Sequence, residues 1–376
     1  MTLDTFALYG MPILLLVFLF VFGTMVGSLL NVCIYRIPME KSLFWPGSRC
    51  GNCLQAIRWY DNIPLVSFLV LRGKCRTCGI RFSFRYFLIE LMTGLAFAGL
   101  FYLVVGQNIH GLPALVGQRG WMAFALFPPW QAWVVFSHHV LLVCLLIVAS
   151  FCDLDHREIP LGITVPGTIL GLIIATLWAW PWPWTPAAGA ARIPAGVAWW
   201  IVDPALGPEQ GLYPWPFWGP LPPWFAPGGN WQTGLATGLA GAAMGTLMLR
   251  AVRYLFGLGL GIEALGLGDA DLMMLAGAFV GWQPVVAAFF VAVFIGLIFG
   301  LGQLFLHGDN MMPFGPSLAL GTLITLLCWR WIGPQFQSLF FNGPLLAILG
   351  IVACVLMLGL SYLLRILRLM RTPEPE

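Results

Sequence analysis

The sequence predicts an all-α polytopic membrane protein of about 8–9 transmembrane helices, N-terminus out and C-terminus in, with a small cytosolic four-Cys zinc-binding loop. Three observations carry this. Of the 376 residues, 60% are hydrophobic and only 9% are charged, against about a quarter in a soluble domain. Nine apolar runs approach or reach the ~20 residues a helix needs to cross a bilayer. The 18 Lys and Arg are distributed very unevenly between the connections. Such a composition excludes an ordinary cytosolic globule, a disordered chain and a nucleic-acid binder, since a net charge of +3 builds no basic surface.

The runs fall at residues 7–30, 86–105, 134–152, 160–180, 233–250, 271–282, 285–306, 314–332 and 343–366. Inside lipid the backbone must satisfy its own hydrogen bonds, and runs of this length do so as helices. The run 271–282 is short, and Gln283-Pro284 predicts a turn after it. With the N-terminus outside, Arg36, Lys41, Arg49, Arg58, Arg72, Lys74, Arg76, Arg81, Arg85, Arg157, Arg250, Arg253, Arg365, Arg368 and Arg371 lie inside, and only Arg119, Arg192 and Arg330 outside. Positive charge on the inner side sets that orientation. The first run is expected to be a retained anchor: Asp4 is the only charge before Arg36, so the basic start of a cleaved signal peptide is lacking.

The organisation that follows is a first helix (1–35), a cytosolic loop (36–85), membrane helices (86–177), an extracytoplasmic insert (178–232) and further membrane helices (233–376). The stretch 178–231 holds ten of the 18 Trp and 12 of the 28 Pro. That much proline prevents a continuous helix and Trp favours the headgroup region, so a loop lying on the outer membrane surface is expected.

Within the loop stand Cys50-Gly51-Asn52-Cys53 and Cys75-Arg76-Thr77-Cys78, two C-x-x-C knuckles separated by 21 residues. This closely resembles the four-thiolate zinc pattern, with a gap slightly longer than the usual template, and the alternative is two disulfides. The loop lies on the Lys/Arg-rich inner side, where a reducing compartment disfavours disulfides. Zinc held by Cys50, Cys53, Cys75 and Cys78 would be structural, because four thiolates close the coordination shell. The remaining cysteines lie singly in apolar runs and read as small hydrophobes.

Acidic residues are scarce, and two clusters stand at span boundaries on the predicted inner face. One is Asp153-Leu154-Asp155-His156-Arg157-Glu158; the other is Gly266-Leu267-Gly268-Asp269-Ala270-Asp271. Charged groups beside membrane spans are costly and are functional candidates by default. Two carboxyls brought together can share a proton, the neutral one acting as acid and the ionised one activating water. Glycines before Asp269 are expected to let the backbone unwind. The plainer alternative is solvated helix ends with Asp269 or Asp271 as an N-cap.

Gly266-Leu267-Gly268-Asp269 resembles the G-x-G-D motif of membrane aspartic proteases. With Gly27-Ser28-Leu29-Leu30-Asn31 through Ile37-Pro38, the two C-x-x-C pairs, Asn62-Ile63-Pro64, Leu71-Arg72-Gly73-Lys74, Arg85-Tyr86, Glu90, Asp153-Leu154-Asp155, Ile159-Pro160 and Pro313-Phe314-Gly315-Pro316, the chain is similar to the bacterial type 4 prepilin peptidases. The resemblance runs in the family's order over about residues 20–325, outside the insert. It implies a multi-pass enzyme of the bacterial inner (plasma) membrane that removes the leader peptide from type IV prepilins or type II secretion pseudopilins. It implies Asp153 and Asp269 as the catalytic pair, with Asp155, Gly266, Gly268 and Asp271 accessory. It also implies possible N-methylation of the new N-terminus from S-adenosylmethionine, for which no binding residues are assigned. The implied partners are these substrates and the lipid bilayer, with no nucleic acid.

Three departures stand out. Asp271 occupies a position where the family often has Lys, Leu161 follows Ile159-Pro160 where Asp or Asn is usual, and 343–366 adds a run beyond the usual eight. Two other classes fit parts of the pattern: a non-enzymatic zinc-containing membrane assembly factor and a proton-coupled transporter. The transporter expects acids near the bilayer centre and an inverted repeat, and neither is seen. Adjacent His138 and His139 point different ways on a helix and read as ordinary packing.

Overall fold

Among the described residues, each apolar run marked as a span is helical over most of its length. The computed structural model describes residues 10–110, 115, 128–177, 231–261, 266–307, 313–340 and 343–371; the Trp/Pro-rich insert, apart from Trp231, lies outside them. The chain divides into two compact units, Met1–His156 and Arg157–Glu376. Among the described residues there is no β-strand, only the isolated bridges Arg49 to Ala56 and Lys74 to Arg81. Among the described residues, six helices are long and apolar enough to cross a membrane: Met11–Arg36, Phe84–Gly106, Ala132–His156, Gly234–Leu260, Trp282–Gln303 and Pro344–Leu367.

The first unit contains α1 (Met11–Arg36), the single-turn Trp59–Asn62, α2 (Val66–Val70), α3 (Phe84–Phe101, continued by a π turn at Tyr102–Gly106) and α4 (Trp130–His156). Helix α1 ends with Arg36 in its last turn, where a cation meets the negative end of the helix dipole. Ser83 caps α3 by accepting from the Arg85 backbone N–H at 3.3 Å. Small residues let α1 and α3 approach: a Cβ added at Gly27 would stand 2.7 Å from Glu90 Cα, and one at Gly23 would stand 2.9 Å from Gly94 Cα. This is the small-residue contact by which membrane helices associate when water supplies no driving force. Helix α4 stops because Arg157 takes a φ of +55° and Pro160 follows.

The second unit contains α5 (Leu161–Leu177), α6 (Trp231–Leu260), α7 (Leu267–Val280), α8 (Trp282–His307), α9 (Gly315–Phe340) and α10 (Gly343–Arg371). Helix α7 is the core: from Asp269 to Val280 every residue but Met274 is buried. A Cβ at Gly241 of α6 would strike the Gly277 carbonyl of α7, and one at Gly277 would strike the Gly241 carbonyl. A Cβ at Gly171 of α5 would stand 2.6 Å from the Phe279 ring. The turn between α7 and α8 falls at Gly281, with φ +84°, two residues before the position the sequence suggested. Gln283-Pro284 sits in the first turn of α8, where a missing N–H costs nothing. Large apolar side chains such as Phe18, Leu297 and Ile351 face outward, as lipid contact requires.

Candidate active site and metal centre

The two knuckles of the loop share one backbone design. Cys50 N–H donates to the Gln55 carbonyl at 3.0 Å and Leu54 N–H to the Cys50 carbonyl at 3.0 Å. Equivalently, Cys75 N–H donates to Ile80 at 2.8 Å and Gly79 N–H to Cys75 at 3.0 Å. The residue after the second cysteine has positive φ in both, +56° at Leu54 and +72° at Gly79. Each turn aims its two thiols the same way, and all four Sγ atoms lie within 4.8 Å of one another. The Cys50 and Cys78 sulfurs are 3.7 Å apart. Tetrahedral zinc with Zn–S bonds of about 2.3 Å requires about 3.8 Å between sulfurs. All nine cysteines are free thiols, so this set can hold a metal ion.

The thiols are not equivalent. The Ile80 backbone N–H, with Asn52 and the neighbouring thiols, pulls Cys78 down to about 6. At Cys53 the Gln55 amide pulls downward, but burial and the thiols of Cys50, Cys78 and Cys75 push it up to about 11. Thiolates, not thiols, react with alkylating agents. In the folded loop Cys78 is therefore the more reactive of the two thiols and Cys53 the less. Beside the cluster, Arg76 grips Asp61 through Nε and Nη2, with the shortest contact 2.6 Å. That guanidinium holds the Asp61 carboxyl below the usual carboxylate range.

Asp153 lies in the last turn of α4, in the first unit, and is buried. Asp269 lies in the first turn of α7, in the second unit, and is also buried. The N-cap of α7 is Gly266, with no side-chain cap, so neither Asp269 nor Asp271 caps it. Gly268 is not unwound but helical; its missing side chain admits Ile159, whose Cβ would be 3.0 Å from a Cβ there. The acid two residues beyond each of these aspartates has an arginine partner. Arg85, in the first turn of α3, pairs with Asp155 and also lies over the Phe151 ring, 6.0 Å from its centre. Arg250 of α6 pairs with Asp271 at 3.2 Å.

Sequence reasoning paired neither arginine with an acid: both served as orientation charges, and Arg85 also as part of the family resemblance. It also missed His110. The His139 ring stands between His138 (Nδ1 to Nδ1, 3.2 Å) and His110 (Nε2 to Nε2, 2.8 Å), all three buried, so the adjacent histidines do meet.

The structure thus defines a polytopic helical membrane protein with a four-thiol module and acid-bearing helix ends. The chain belongs to the type IV leader peptidase family: residues 21–104 match the bacterial peptidase A24 N-terminal domain, and residues 140–212 and 223–301 match the Type IV leader peptidase family. It is accordingly a multi-pass protein of the bacterial inner membrane. A prepilin leader peptidase/N-methyltransferase from Myxococcus xanthus is 32% identical over 78% of this chain and 64% of its own length. The chain thus spans about two thirds of that relative. A protein of the same name from Stutzerimonas stutzeri is 28% identical over 82% of this chain and 88% of its own. A type 4 prepilin-like proteins leader peptide-processing enzyme from Escherichia coli is 29% identical over 87% and 98%. No solved structure matches the chain.

Proposed function

We propose that this protein is a membrane aspartic endopeptidase that removes the leader from type IV prepilins or type II secretion pseudopilins at the cytosolic membrane face. In this reading the chain runs N-out and C-in. Asp153 and Asp269 are its catalytic pair. The observation that carries the reading is the placement of one buried aspartate at the end of α4 and another at the start of α7, in a chain of this family. A helix N-terminus favours a negative charge and a C-terminus disfavours it. Asp269 therefore serves as the ionised partner that activates water, and Asp153 as the partner that carries the shared proton. Water attacks the scissile carbonyl directly, with no covalent intermediate. The arginine pairs at Asp155 and Asp271 compensate the extra charge beside each acid. The substrate's apolar helix lies among the spans, so the cut falls at their boundary.

The four thiols hold structural zinc, which leaves no open coordination position for substrate. The name shared by the Myxococcus and Stutzerimonas relatives supports a second activity, methylation of the newly exposed amine from S-adenosylmethionine. The test is incubation of the purified protein with a prepilin from the same genome, followed by intact-mass spectrometry. Leader loss that disappears in Asp153→Asn or Asp269→Asn separates this reading from a non-enzymatic assembly factor. Prepilin left whole by the wild-type protein would overturn it.

A further inference from the structure

Asp153 stands in the last turn of α4, which ends at His156. The last four carbonyls of a helix have no intrahelical partner, and terminal turns open readily. A side chain that must hold its place there needs support from outside the helix. Three neighbours of Asp153 have such support. Cys152 Sγ donates to the Ile34 carbonyl of α1 at 3.8 Å. Arg85, from the first turn of α3, bonds the Asp155 carboxylate through Nη1 and lies over the Phe151 ring. Successive helical residues turn by about 100°, so Phe151 and Asp155, one turn apart, share a face. Asp153, midway between them, lies on the opposite face, about 200° around. Arg85 therefore grips the back of the turn and leaves the face that carries Asp153 untouched.

Both charges of this pair stand at the unfavourable ends of their own helices. A cation weakens a helix N-terminus, yet Arg85 is in the first turn of α3. An anion weakens a C-terminus, yet Asp155 is in the last turn of α4. Neither charge serves its own helix; each is compensated by the other. Nor is this a loose surface contact. The two side chains are 29% and 24% exposed, and Arg85 Nε is buried with no hydrogen-bond partner among the described residues. A guanidinium enclosed to that extent depends on its carboxylate, because an unpaired buried charge is costly. The anchor behind Arg85 is itself fixed. Its backbone N–H donates to the capping Ser83 hydroxyl. The next residue, Tyr86, accepts at its carbonyl from Asn31 Nδ2 of α1 at 3.1 Å.

We propose that Arg85 is a positioning residue for leader removal: by fastening Phe151 and Asp155 to the first turn of α3, it keeps the last turn of α4 helical and Asp153 in its working place. The proposal rests on the peptidase reading above and adds a residue that acts through the helix rather than on the substrate. Arg85 belongs to the segment that matches the peptidase A24 N-terminal domain, and Asp153 and Asp155 to a segment that matches the leader peptidase family. The ion pair thus links the two. A displacement of about 1 Å can slow an enzyme by about 10²-fold. Loss of the clamp should therefore show in turnover and not in substrate affinity.

The test uses zinc-loaded full-length protein in nanodiscs. It reads kcat and KM for prepilin cleavage, and hydrogen–deuterium exchange of the backbone amides of the last turn of α4. Arg85→Met keeps a long side chain and removes its charge. It should lower kcat by about 10–100-fold with KM within about twofold. It should also speed exchange in the last turn by about tenfold or more, with the middle of α4 unchanged. Exchanging the charges, Arg85→Asp together with Asp155→Arg, puts each at the favourable end of its helix. The exchanged pair should restore slow amide exchange and bring kcat to within about fivefold of wild type, which neither single change should do. Wild-type kcat in Arg85→Met overturns the proposal, as does a fall in kcat with amide exchange unchanged. A rise in KM alone overturns it too, since Arg85 would then be a substrate contact. So does an exchanged pair that protects the amides without restoring kcat, because polarity and not position would then matter. Should Arg85→Met fail to fold, Asp155→Asn carries the same readouts with the same expected directions. Failure of the wild-type protein to cut prepilin strikes the peptidase reading, and the exchange measurements still decide whether Arg85 holds the turn.

Discussion

Asp153→Asn and Asp269→Asn should each abolish leader removal, lowering the rate by about 10³-fold or more, while the protein stays folded in detergent. The size of the loss comes from the way a carboxyl dyad works. Neither the acid role nor the base role can be filled by an amide, and members of a catalytic unit fail as a unit, so the double variant should be hardly worse than either single one. Folding should survive because Asn is isosteric with Asp, and removing an ionised group from an apolar surrounding relieves desolvation. The contrast lies two residues further on. Asp271 has its own partner in Arg250, half exposed at 54% of the side chain. An ion pair with that much solvent around it is worth little, about 0–1 kcal/mol. Asp271→Asn should therefore slow cleavage by about tenfold at most. Initial-rate assays on purified prepilin check all of these. If Asp271→Asn were as damaging as Asp269→Asn, the roles assigned to the two acids would have to be exchanged.

How far the sequence disclosed this arrangement follows from the range of each interaction. Helix positions were legible because lipid forces every apolar run to close its own backbone hydrogen bonds. The metal cluster was legible because each C-x-x-C turn is a local device, and four thiols on two such turns have few ways to meet. Asp153 at a helix end and Asp269 at a helix start were likewise local facts. The arginine partners were not. Arg85 reaches Asp155 across 70 residues and Arg250 reaches Asp271 across 21, and no spacing rule selects one basic residue from many. The close approach of Gly241 and Gly277 was hidden for the same reason: a glycine in an apolar run shows small size but not which helix exploits it. The turn after α7 was placed late because proline was taken as the breaker. In the structure Gly281 does the breaking through its positive φ, and Pro284 opens the next helix. Asn31 showed only as part of a resemblance, and its orphaned oxygen became visible once Tyr86 was seen to occupy its amide nitrogen.

Stripping the metal from the four-thiol module should unfold residues 42–83 as a block. The stretch has almost nothing else to hold it: between residues 41 and 85 only Cys50 and Gly73 are buried. A handful of aromatic contacts, Phe68 with Phe84 and Phe87 at 6.0 and 5.4 Å between ring centres, tie its one short helix to the start of α3. The Arg76–Asp61 pair lies at the surface and adds little. Against this, a structural zinc site supplies about 10–16 kcal/mol of binding free energy, all of it available to folding when the unfolded chain has no site. The balance therefore rests on the metal. Cys50→Ser, at the buried corner of the cluster, should remove one zinc per chain by elemental analysis. It should also make the loop as sensitive to limited proteolysis as chelated wild-type protein, with zinc restoring protection to the wild type alone. Acid should act in the same direction, because protonated thiols do not ligate. The membrane helices satisfy their backbone internally and need no metal, so their melting should hardly change. A loop that stays protease-resistant after complete zinc removal would mean that the aromatic contacts and the lipid surface suffice to fold it.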